Sequence, residues 1–309
     1  MGLRLTADAK GVYVIAATPF QDDGSIDEAS IDSLTAYYLD AGVSGLTILG
    51  VMGEAQKLSE SESLAVARRF INAVQGRVPV VVGVTNPGTP NLVRLAHSAM
   101  AEGAGGVMIQ PLSGLRTNEA VKGYFGGVIE ALGPDVPVVV QDYPQLTGVN
   151  FSATTFIEMV DAHPSIVCFK HEEWPGLRKL SEIRAACDGS AHRYISILCG
   201  NGGLHLPQEY RRGADGAMTG FAFPEMMVGI DKLFRAGKPE EAEDLFDIYL
   251  PILRHEFQIG LGLALRKEVL RRRGAIKSSA VRAPGPKLDT RDIAELDALL
   301  ARLHRKLRT

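Results

Sequence analysis

The chain has little cysteine, a single tryptophan and no long apolar run, and each shortage removes a class of protein. Three cysteines, Cys168, Cys187 and Cys199, are too few and too scattered for a disulfide framework or a thiolate metal site. Cys168 and Cys199 fall in apolar strand-like runs, where small hydrophobes pack in a reducing cytosol. No stretch approaches the roughly 18 uncharged apolar residues that a membrane span needs. The opening Met1-Gly2-Leu3-Arg4-Leu5-Thr6-Ala7-Asp8 lacks the apolar core of a signal peptide. A net charge of −3, with no basic stripe, leaves no electrostatic footprint for nucleic acid. No HExxH motif, Cys/His cluster, Walker loop or dinucleotide fingerprint occurs. The expectation is a cytoplasmic protein with no metal and neither a membrane nor a nucleic-acid partner.

What is present is core-forming material: 46% of the residues are apolar and 22% charged. Eight short apolar runs begin near Val12, Gly45, Pro79, Gly106, Val136, Ile166, Tyr194 and Gly216. Segments of helical periodicity separate them. This alternation predicts βαβ units and a closed (β/α)8 barrel, a TIM barrel. The competitor is an open doubly wound sheet, whose usual glycine-rich fingerprint is absent.

Internal echoes favour the barrel. Gly42-Val43-Ser44-Gly45, Gly103-Ala104-Gly105-Gly106 and Gly213-Ala214-Asp215-Gly216 each place a glycine where a helix ends and a strand follows. Val78-Pro79-Val80-Val81-Val82 resembles Val136-Pro137-Val138-Val139-Val140, with proline at a strand's first residue. Beyond about Phe223 the strands stop. Residues 239–273 read as helical, with Pro251 and the Gly260-Leu261-Gly262 stretch expected to bend or break them. A last amphipathic helix follows from Thr290 to Leu307, capped at Thr290. The expected organisation is a catalytic barrel over 1–236 and a helical region over 237–309 packed on it.

Lys170 closes the run Ile166-Val167-Cys168-Phe169-Lys170 and is the only lysine at the end of an apolar strand-like segment. A buried lysine is expensive unless its amine is neutral or paired. Neutral lysine is also the nucleophile that condenses with a carbonyl to give a Schiff base. The plainer alternative is a strand-end lysine whose amine escapes to water.

Other fragments fall into order around this lysine. Ala17-Thr18-Pro19-Phe20 follows strand one, Gly50-Val51-Met52-Gly53-Glu54 follows strand two, and Asp142-Tyr143-Pro144-Gln145-Leu146-Thr147-Gly148 follows strand five. Together they resemble the dihydrodipicolinate synthase / N-acetylneuraminate lyase family of class I aldolases, over nearly the whole chain. The resemblance implies a (β/α)8 barrel, a homo-oligomer (dimer or tetramer), and a Schiff base between Lys170 and a 2-oxo acid such as pyruvate. No cofactor is implied, because the protonated imine is itself the electron sink. Thr18 joins the substrate-binding set, and the loop at Val51 and Met52 is the implied carboxylate cradle. The family usually has two threonines there, so only backbone N–H groups remain to bind. Glu54 is expected to anchor this loop.

Several departures bear on function. Gln141 stands where the family has its proton-shuttling tyrosine, and glutamine has no pKa useful for acid–base work. Tyr143, two residues on and so on the same face of a strand, is the candidate replacement or else a rim aromatic. Leu146 aligns with the arginine that binds the aldehyde's carboxylate in dihydrodipicolinate synthases. Leu112 and Ser113 align with the paired tyrosines after strand four. The residues left near the pocket (Met52, Leu112, Leu115, Leu146, Phe221 and Phe223) predict a substrate whose far end is neutral or apolar, unless they are packing residues. Arg116 is the nearest candidate cation, or a solvated rim charge. His171-Glu172-Glu173 is expected to be a solvated loop, although Glu172 returns to the side of Lys170. Asn201, in a glycine-rich turn, and Met218, near Gly220 on strand eight, complete the candidate binding residues. The expected activity is a Schiff-base lyase performing aldol cleavage or condensation, or dehydration, of a hydroxylated 2-oxo acid. The rivals are 4-hydroxy-tetrahydrodipicolinate synthase and a catalytically weak member with a binding role.

Overall fold

A computed structural model describes residues 2–308. Eight parallel strands close into a barrel in sequence order: β1 (Gly11–Ile15), β2 (Gly45–Ile48), β3 (Val80–Gly83), β4 (Gly106–Ile109), β5 (Val138–Asp142), β6 (Ile166–His171), β7 (Ser196–Cys199) and β8 (Gly216–Ala217). The fold is the TIM barrel that the alternation of apolar runs predicts.

Side-chain alternation sorts the strands into two apolar surfaces. Tyr13, Ile15, Val81, Met108, Val139, Cys168, Leu198 and Met218 fill the lumen. Val14, Leu46, Ile48, Val82, Val107, Val140 and Phe169 face outward into the shell of helices. The lumen is a packed core, and one glycine shows how tightly. A Cβ on Gly45 would lie 2.3 Å from the Tyr13 ring, so β2 must begin with glycine to admit that ring. The repeated helix-ending glycines also behave as their positions require: Gly42, Gly103 and Gly213 all have positive φ. Pro79 and Pro137 sit just before β3 and β5, where their carbonyls accept the amides of Leu46 (3.0 Å) and Val107 (2.9 Å). Neither strand needs the amide hydrogen that proline lacks.

After β8 the chain continues through helices Pro224–Arg235, Pro239–Glu256, Gly262–Arg272 and Thr290–Lys306. Two expectations need correction. Pro251 does not break the helix Pro239–Glu256; burial of Tyr249, Ile252 and Leu253 on its inner face holds the turn together. The helical run is interrupted at 257–261, around the positive φ of Gly260, as the Gly260-Leu261-Gly262 stretch leads one to expect. The last helix is capped by Asp289 rather than Thr290, in a reciprocal capping box with Asp292. Among the described residues, no helix is long and apolar enough to cross a membrane.

Candidate active site

Lys170 occupies the C-terminal end of β6, level with Gln141 on β5 and Leu198 on β7. It shares the inward parity of Cys168, so its stem rises from the lumen core and its amine emerges at the top of the barrel. The residue is only 4% exposed. Its amine meets Glu172 Oε2 at 3.0 Å. The same carboxylate oxygen accepts the Gln141 side-chain amide at 2.6 Å. Glu172 is held from the other side by Asn201, whose amide nitrogen donates to the Glu172 carbonyl at 2.9 Å. The Asn201 backbone N–H reaches Glu172 Oε1 at 3.4 Å.

The solvated loop expected at His171-Glu172-Glu173 is therefore not what forms. His171 and Glu172 are buried, because the strand ladder continues past Lys170: Glu172 donates to Asp142 O, and Gly200 donates to His171 O, both at 2.9 Å. Gly200 is the residue that makes room, since a Cβ there would lie 2.1 Å from Glu172 Cγ. Only Glu173 keeps partial exposure, and it pairs with Lys179 at 2.7 Å. Lys179 also binds Asp142 at 2.7 Å. His171 lies behind the strand against Phe169. Burial and the nearby Lys179 charge hold its pKa down at about 4, so it is neutral at physiological pH.

A cavity of about 350 Å³ opens over Lys170, a size suited to a small metabolite. Val51, Met52, Gln141, Tyr143, Leu146, Lys170 and Glu172 all line it. Burial pushes the Tyr143 phenol up to about 12, the Glu172 charge adds to that, and Arg266 opposes it. The phenol is thus a hydrogen-bond donor at neutral pH and a weak proton donor.

The loop after β2 is a tight turn in which Gly53 and Glu54 donate back to Gly50 and Val51, both at 3.0 Å. The amides of Val51 and Met52 have no acceptor among the described residues. Thr18 supports this turn from beneath, its hydroxyl donating to Gly53 O at 2.7 Å. Glu54 is buried and tied to Lys267 (2.6 Å), Lys57 (2.8 Å) and the Arg282 amide (3.0 Å). Lys267, from the helix Gly262–Arg272, is fully buried and lies over the Phe20 ring.

Some candidates stand elsewhere. Met218 is on no cavity wall, because its parity turns it into the lumen; Thr219 and Gly220 face the cavity instead. Thr18 and Asn201 are likewise off the cavity wall and act through the turn and through Glu172. Phe221 and Phe223 pack against Tyr249 in the outer core, and Leu112 and Leu115 are also absent from the walls. Of the six apolar candidates only Met52 and Leu146 are on the wall, beside Ile15, Val51, Phe257 and Leu263. Arg116 is exposed and away from the cavity. The guanidinium in the cavity is Arg266, paired with the buried Glu256. Sequence reasoning missed both. Their one signal was charge on helices whose neighbours are apolar, which requires a buried partner. Among the described residues no group of His, Cys, Asp and Glu is arranged to hold a metal ion.

This geometry can be set beside known proteins. The sequence profile of the dihydrodipicolinate synthetase family matches residues 8–303. The chain is 31% identical over 301 residues to the L-2-keto-3-deoxyarabonate dehydratase of Azospirillum brasilense, covering 95% of this chain and 94% of that protein. It is 28% identical over 232 residues to a probable 2-dehydro-3-deoxy-D-pentonate aldolase of Escherichia coli, covering 74% and 75%. A crystal structure described as dihydrodipicolinate synthase from Rhodopseudomonas palustris superposes with a TM-score of 0.95 at 48% identity, covering 97% of this chain and 100% of the other. The chain belongs to the dihydrodipicolinate synthetase family and is a Schiff-base-type lyase acting on a 2-oxo acid.

Proposed function

We propose that the protein dehydrates a hydroxylated 2-oxo acid through an imine on Lys170, with Glu172 as the proton carrier. The observation that carries this reading is the Glu172 carboxylate, shared between the Lys170 amine at 3.0 Å and the Gln141 amide at 2.6 Å. Passing a proton from Lys170 to Glu172 leaves a neutral amine to attack the carbonyl, and Glu172 returns that proton to the carbinol hydroxyl, which departs as water and leaves the protonated imine and an ionised Glu172. Glu172 then takes a proton from the carbon next to the imine, and the electron pair moves onto nitrogen to give an enamine. When those electrons return, they expel the hydroxyl one carbon further out, and Glu172 gives it the proton it needs to leave as water. Hydrolysis of the conjugated imine consumes one water and frees Lys170, so the net reaction loses one water from the substrate. The free amides of Val51 and Met52 take the substrate carboxylate. Gln141 holds Glu172, and Tyr143 donates a hydrogen bond to the bound substrate.

The rival synthase reading draws on the Rhodopseudomonas palustris neighbour. Against it stands Leu146, an exposed apolar residue on the cavity wall where that reaction needs a cation for the aldehyde's carboxylate. Product analysis separates the possibilities. With a 2-oxo-3-deoxy sugar acid, dehydration gives an unsaturated 2-oxo acid, whereas aldol cleavage releases pyruvate. Faster turnover of pyruvate with aspartate semialdehyde would sink the proposal. The reading includes self-association as a dimer or tetramer, and a monomer in sedimentation at micromolar concentration contradicts that part alone.

A further inference from the structure

Among the described residues, Arg266 is the only guanidinium on the walls of the Lys170 cavity, and its hydrogen bonding is incomplete. The side chain is 5% exposed. Nε donates to Glu256 Oε1, and Nη1 lies against the Met52 sulfur, a weak acceptor. Among the described residues nothing accepts from Nη2. Glu256 is fixed in turn by the Ala222 amide at 3.2 Å. Gly220 leaves the guanidinium its space, since a Cβ there would lie 2.6 Å from Nη1. A guanidinium on the wall of a ligand cavity with a spare N–H group offers that donor to an acceptor on the ligand.

The charges around it decide what kind of acceptor fits. Arg266 is bound by Glu256, and Lys57 shares Glu54 (2.8 Å) with the buried Lys267 (2.6 Å). Glu54, Glu172 and Glu256 all line the cavity. A second substrate carboxylate would meet three carboxylates, and to pair with Arg266 or Lys57 it would have to compete with Glu256 or Glu54 for a cation each already holds. A hydroxyl meets no such cost: it accepts from Arg266 and donates its own proton to a neighbouring carboxylate.

We propose that the Arg266–Glu256 pair is the specificity element of this site, reading a hydroxyl on the substrate's tail and rejecting tails that end in a carboxylate. The assignment rests on the imine at Lys170 and adds to it the residues that choose the substrate. It replaces the apolar far end expected from Met52 and Leu146 with a neutral, hydroxylated one.

The test pairs a change in the protein with a change in the ligand. Wild-type protein is assayed on a 2-oxo-3-deoxy sugar acid and on its analogue lacking the terminal hydroxyl, then on one ending in a carboxylate. Arg266→Met and the charge-balanced pair Arg266→Met with Glu256→Gln are assayed alongside, with borohydride trapping of pyruvate as a tail-free readout. Wild type should favour the hydroxylated compound by about tenfold or more in kcat/KM over either analogue. Both variants should lose that preference, mostly through KM, with a fall at least about tenfold larger for the hydroxylated substrate than for pyruvate trapping. Arg266→Lys should restore part of it. Equal losses on all compounds would make the pair purely structural and overturn the assignment. So would a wild type that does not discriminate, whether or not the variants fold. Absence of any imine on Lys170 overturns the mechanism and this assignment with it, whereas an imine with unchanged discrimination overturns the assignment alone.

Discussion

At the scale of single residues, proton transfer in the proposed mechanism falls to a carboxylate rather than to a phenol. The Lys170 amine meets Glu172 at 3.0 Å, whereas Tyr143 is held protonated, its pKa pushed up to about 12. A carboxylate can take a proton at neutral pH and a phenol held at about 12 cannot. Glu172→Gln should therefore still trap pyruvate, more slowly, and lower the dehydration kcat by about 10²–10⁴. Turnover within tenfold of wild type would move the proton-carrying role elsewhere. A second residue links burial to pH. Burial raises the Glu209 pKa from 4.5 to about 8, the Cys199 thiol opposes that through a hydrogen bond, and the Glu172 charge adds to it. Glu209 Oε2 has no partner. A carboxyl whose folded pKa is raised binds its proton more tightly in the native state. Its contribution is complete below pH 4.5 and is lost as pH rises through about 8. Glu209→Gln, which mimics the neutral acid, should show a higher Tm than wild type at pH 8 and a matching one near pH 5. A constant difference across that range would contradict the shift.

At the scale of elements, the turn after β2 is held in place from a distance. Its Glu54 is bound by Lys267 on the helix Gly262–Arg272 and by the Arg282 amide, so the amides of Val51 and Met52 depend on a late part of the chain. Lys267→Met leaves the buried Glu54 with Lys57 and the Arg282 amide only. Removing one partner of a buried pair costs up to about 3–5 kcal/mol when the charge is left uncompensated, and Lys57 reduces that here to about 1–3 kcal/mol. Denaturant unfolding should show that loss, together with weaker pyruvate binding from a loosened turn; a change below about 1 kcal/mol would contradict it. The same element explains the limits of reading the sequence. Strand order, Lys170 and the glycine turn were legible because each rests on local pattern: alternation, an apolar run ending in lysine, paired glycines. Arg266 and Glu256 were not, because a charged helix face reads as solvated until the barrel mouth is packed against it. Burial of Glu172 was equally hidden, since it depends on the missing Cβ of Gly200, on a different strand end.

At the scale of the molecule, the barrel and the helices after it share one site. The boundary expected near residue 236 separates strands from helices in sequence, yet Glu256, Phe257, Leu263 and Arg266 line the same cavity as Lys170. The helix Pro239–Glu256 packs on both Pro224–Arg235 and Thr290–Lys306. We propose that these parts unfold together, and calorimetry should give a single transition. Two resolved transitions would show that the helices after 236 fold as a unit of their own.

The central claim is an imine on Lys170, and borohydride reduction in the presence of pyruvate tests it most directly. Mass spectrometry of the digested protein should find the reduced adduct on the peptide containing Lys170, and Lys170→Ala should carry none. An adduct on another lysine, or none with any 2-oxo acid, would contradict the account.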